Sequence, residues 1–93
     1  MIRRRGSEWD PALPMELQSQ WPEHAAFMDQ LVSAGIVVLG GPLADEERVV
    51  LAMEADSEAA IRDTLAADPW TESHLVIASV DEWTIRLDGR GRG

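Results

Sequence analysis

Apolar positions along the chain switch between a helical and a two-residue period, and each switch marks an element. From Trp21 onward Phe27, Met28, Leu31 and Val32 recur at helical spacing and predict an amphipathic helix. Pro22 suits its first turn, where the missing N–H would be unpaired anyway, and Glu23 sets a negative charge at the positive end of the helix dipole. Gly35 stops the helix, because glycine enters the left-handed region without a side-chain clash. Ile36 to Gly40 is too short for a helix and rich in β-branched residues, which predicts a strand buried on both faces. Gly40-Gly41-Pro42 through Glu47 reads as a loop, with Asp45, Glu46 and Glu47 solvated.

Val49 to Met53 predicts a second strand, joined antiparallel to the first by that loop. Ser57 is a good N-cap for a second amphipathic helix carrying Ala59, Ala60, Ile61, Leu65 and Ala66, which must stop near Asp68 because Pro69 cannot extend it. Leu75 to Val80 is the last core strand. Trp83, Ile85 and Leu87 then alternate with Thr84, Arg86 and Asp88, predicting an extension whose apolar face a partner subunit covers.

Met1 to Arg5 reads as a short first strand whose three arginines cannot all be buried. Gly6 to Gln20, with Pro11 and Pro14, reads as a loop with a helical turn around Met15 to Ser19, and a lid over a cleft is one use for a loop of that length. The order β-α-β-β-α-β predicts an α+β, ferredoxin-like domain over residues 1–88, with two helices on one face of a four-stranded antiparallel sheet. Residues 89–93, alternating Gly and Arg, are expected to be a frayed, flexible tail. The open sheet face needs cover, and a second subunit placed sheet to sheet predicts a homodimer.

Ninety-three residues, 45% of them hydrophobic, suffice for one small core. Eight basic residues against seventeen acidic ones give a net charge of -9, with no lysine, a surface that argues against nucleic acid or membrane as partner. The absence of cysteine excludes disulfides, thiolate catalysis and zinc-thiolate sites. No apolar run approaches the roughly 18 residues of a membrane span. Arg3, Arg4 and Arg5 lack the apolar region that would follow in a secretory signal, so a cytoplasmic protein is expected.

Candidate chemistry centres on His24, which shares a helix side with Phe27 and Met28 and so faces the core or a cleft. The guanidinium forks of Arg3, Arg4 and Arg5 suit a substrate carboxylate, or else pair with the acidic surface. Gly40, Gly41 and Pro42 either let backbone N–H groups approach an anionic substrate or simply turn the chain. Trp9, Trp21, Trp70 and Trp83 suit an aromatic pocket or the core and interface. His74, at a strand entry without an evident partner, reads as a surface residue. Two histidines among scattered carboxylates do not predict a metal site, and no cofactor is expected.

His24 at a helix start, Gly35 at its end, Gly41-Pro42-Leu43, and Asp68-Pro69-Trp70 after the second helix make the chain resemble the YCII-related (YciI-like) family of small dimeric α+β barrel proteins. The likeness runs from about Trp21 to Trp83. It implies a ferredoxin-like fold, a dimer, and a catalytic pair mapping to His24 and Asp68. The family's fold is similar to that of muconolactone isomerases, and some relatives are linked to dehydrochlorination of hydroxylated aromatic compounds. This chain departs from the pattern in its short first strand and long Gly6 to Gln20 loop.

If the fold joins His24 to Asp68, the carboxylate can fix the imidazole tautomer and leave the other ring nitrogen to move a substrate proton. The expectation is an isomerase- or lyase-type enzyme for a small carbonyl or hydroxyaromatic metabolite, with Gly41, Pro42 and Trp70 against the substrate. The alternative is a non-catalytic ligand-binding or regulatory dimer using the same cleft. A plainer alternative makes His24 a hydrogen-bonded helix-start residue and Asp68 an Asp-Pro turn former.

Overall fold

Strand β1 (Ile2–Arg5) lies inside the sheet and hydrogen-bonds to β3 (Arg48–Met53) on one side and β4 (Leu75–Ser79) on the other. The computed structural model describes residues 1–89. Strand β2 (Val37–Pro42) completes the order β2-β3-β1-β4, with every neighbouring pair antiparallel, as in a ferredoxin-like fold. Helices α1 (Trp21–Ser33) and α2 (Glu58–Leu65) cover one face, where Leu31 and Leu65 pack with Val37 and Leu51. A single 3-10 turn, Met15–Leu17, interrupts the loop that precedes α1.

Helix ends follow local chemistry. Gly35 has φ 75, and its N–H and that of Ile36 donate to the carbonyls of Val32 and Leu31 at 3.0 and 2.9 Å, a Schellman closure of α1. The Ser57 hydroxyl accepts from the Ala60 N–H at 3.1 Å and caps α2. Asp45 accepts from the backbone of Glu47 and from Arg48, which tightens the exposed turn between β2 and β3.

Register separates the sheet faces. Arg3 pairs with Val49 and Ile77, and this set faces the helices; Ile2 pairs with Val50, and Leu39 with Ala52, facing away. Three expectations need correction here. Residues 36–40 are not buried on both faces: Val37 is buried, but Val38 and Leu39 are exposed because β2 is an edge strand with one uncovered face. Gly40, Gly41 and Pro42 are not loop but the end of β2, paired with Leu51, Val50 and Val49; an edge strand tolerates the proline's missing donor.

The third concerns the alternation at Trp83, Ile85 and Leu87, which forms no strand. These side chains are exposed on the single chain, so the apolar face that the alternation defines has no cover among the described residues. They border a groove of about 690 Å³ with Val38, Leu39 and Ile61. Of the expected tail, residues 90–93 lie outside the described residues.

Candidate active site

Three elements converge beneath the start of α1. Pro69 pushes Asp68 out of helical geometry just after α2, and the Asp68 carboxylate accepts from the Trp70 N–H at 3.0 Å in an Asx turn. That turn aims both oxygens inward, where each lies 2.9 Å from His24 Nδ1. From β1, Arg3 donates Nη1 to Asp68 Oδ2 at 2.9 Å. The His24 side chain is 8% exposed and that of Asp68 fully buried.

Arg3 is the partner that sequence reasoning missed. Only 1% exposed, it donates Nε and Nη2 to the Leu75 carbonyl at 3.0 and 2.6 Å, and Nη2 also to Thr71 Oγ1. Arg4 is exposed and Arg5 stacks on Trp9, its guanidinium carbon 4.8 Å from the ring centroid, so the three arginines have three separate fates. The period-two pattern of β1 held a signal, because Arg3 falls on the same strand face as Met1, a residue packed against the core.

Charge balance follows from these contacts. Burial raises the Asp68 pKa, but hydrogen bonds from His24, the Trp70 backbone and Arg3 outweigh it and hold the carboxyl below its ordinary 3.8. With Asp68 ionised, His24 Nδ1 carries the donated proton. Nε2 makes no hydrogen bond among the described residues, and the side chain keeps 8% of its surface exposed. Such a nitrogen can give or take a proton at the protein surface.

Aromatic rings form the wall behind His24. Trp70 has no exposed surface; its indole stacks on His24 at 4.1 Å and 10°, meets Trp21 and Trp9 at 5.7 Å, and donates Nε1–H to the Ser19 carbonyl at 2.8 Å. His74 also stacks on Trp70, at 5.0 Å, and is 2% exposed. The reading of His74 as a surface residue is therefore corrected: the Gly6 to Gln20 loop folds over it. Trp83 stands apart from this cluster, on the exposed C-terminal segment.

Of the residues expected to meet substrate, Trp70 thus lies in direct contact with His24, while Gly41 and Pro42 sit on β2, paired with Val50 and Val49. The groove beside Trp83 includes neither His24 nor Asp68. Among the described residues, no three His, Asp or Glu side chains converge as a metal site would require. No described helix is long and apolar enough to cross a membrane.

Residues 4–84 match the model of the YCII-related domain. The chain belongs to the YCII-related family. In this member the sequence features that carried the likeness include both residues of the buried pair, His24 and Asp68. No curated protein and no solved structure matches the chain.

Proposed function

We propose that this YCII-related protein is an isomerase- or lyase-type enzyme that moves a proton on a small carbonyl or hydroxyaromatic metabolite. The observation that carries the reading is the Asp68 carboxylate held 2.9 Å from His24 Nδ1, with Nε2 free of any hydrogen bond among the described residues. His24 is the acid or base; Asp68 fixes the tautomer and orients the ring. Arg3 is a positioning residue that anchors Asp68. General acid-base help of this kind contributes roughly 10² to 10⁴ in rate.

One observation favours a second reading. Arg3 already compensates the Asp68 charge, which leaves less of it to stabilise an imidazolium and suits His24 as a fixed hydrogen-bonding group in a ligand-binding or regulatory module. Incubation of the protein in D₂O with a panel of small enolisable ketones and hydroxyaromatic acids separates the two. Catalysed deuterium uptake that disappears in His24→Ala, with the circular dichroism spectrum retained, supports the enzyme. Saturable binding without exchange, weakened by the same substitution, supports the module.

The homodimer belongs to the same proposal. Leu39 is 56% exposed on the sheet face turned from the helices, beside Ala52 and Val50, and a second sheet laid on it would remove apolar surface from water.

A further inference from the structure

Neither Ser19 nor His74 takes part in the His24 and Asp68 pair, yet they are arranged as a nucleophile and its base. Ser19 Oγ lies 3.1 Å from His74 Nε2, and His74 Nδ1 lies 2.8 Å from Ser73 Oγ. The Ser73 hydroxyl donates its one proton to the Pro69 carbonyl at 3.0 Å, so toward His74 it acts as acceptor and Nδ1 carries the hydrogen. A neutral His74 then presents its Nε2 lone pair to the Ser19 hydroxyl. Nucleophile, base and orienting group stand in hydrogen-bonded series.

The chain around Ser19 is fixed from both sides. Trp70 Nε1–H holds the Ser19 carbonyl at 2.8 Å while its indole stacks on His74, so one side chain sets both partners. Gln20 follows with φ 62, a left-handed turn unusual for a residue with a side chain, and supplies no side-chain cap to α1. Ser19 is exposed whereas His74 is buried, the disposition an accessible nucleophile with a sheltered base requires.

We propose that Ser19 is a second reactive centre, a serine nucleophile activated by His74 that accepts an acyl group from a small carboxylic ester. Ser19 Oγ bonds to the ester carbonyl carbon as its proton passes to His74 Nε2. Collapse breaks the bond to the alkoxide, which leaves with the proton from His74. Water, deprotonated by His74, then releases the carboxylic acid and restores the serine.

The test is covalent capture. The intact protein is treated with a small alkyl fluorophosphonate, in which serine attack expels fluoride, and the adduct is mapped by peptide mass spectrometry. An adduct on Ser19, with exposed Ser7 and Ser33 unlabelled, is the expected result. His74→Gln should slow labelling by about 10²-fold, the range of general-base assistance. Ser73→Ala, which leaves Nδ1 without its acceptor, should slow it by about tenfold, and it decides the matter should circular dichroism show that His74→Gln does not fold. Absence of a Ser19 adduct, or labelling unchanged by the folded His74 and Ser73 variants, would overturn the proposal.

Discussion

Asp68 accepts hydrogen bonds from His24, the Trp70 backbone and Arg3 while fully buried, so its charge is sustained by these partners alone. Removing it strands a buried guanidinium. Asp68→Ala is expected to cost about 3–5 kcal/mol in urea unfolding, whereas Asp68→Ala with Arg3→Met should recover much of that loss, because an apolar replacement of a buried pair is often neutral. Acid acts on the same residue. Because the folded-state pKa is lowered, the stability Asp68 contributes is complete above its ordinary 3.8 and is lost as pH falls through the folded value. The urea midpoint should therefore fall below pH 4 in the wild type, and more shallowly in the double variant. In Asp68→Asn, histidine ¹⁵N spectra should show His24 leaving the Nδ1–H tautomer that the carboxylate imposes in the wild type.

At the level of elements, two glycines do different work. Gly35 holds φ 75 with open space around it, so Gly35→Ala is expected to cost only backbone strain, about 1–2 kcal/mol. Gly6 leaves β1 directly under the Ser73 carbonyl, and a Cβ there would overlap that oxygen. Its N–H also donates to the His74 carbonyl at 2.8 Å, tying the loop to the histidine cluster. Gly6→Ala should lower the thermal midpoint more than Gly35→Ala, and should perturb the His74 ring signals in NMR while Gly35→Ala leaves them in place.

Across the whole molecule, the helix-covered face buries a small core and the opposite sheet face carries exposed apolar area. If that face pairs two copies, Leu39→Glu should convert a dimer to a monomer in sedimentation experiments, since an unpaired charge would have to enter the interface. A wild-type monomer at micromolar concentration would remove the dimer proposal; a dimer indifferent to Leu39→Glu would move the interface off the surface that carries Leu39.

The sequence by itself determined the elements and their order, because the causes are local: Ser57 caps its own helix, Gly35 ends its own, and Pro69 sets its own turn. Those local causes also turned His24 inward, whereas its pairing with Asp68 was implied by the family resemblance alone. What only the tertiary structure decided is which distant side chains share a buried space. Arg3 lies far along the chain from Asp68, and its charge gave no local reason for burial until β1 was placed between β3 and β4. His74 looked solitary because Ser19 reaches it only after the long loop closes, although Ser73 and Trp70 stand close to it along the chain. The alternation from Trp83 to Leu87 likewise records a preference for one face, while what covers that face is not set by the segment itself.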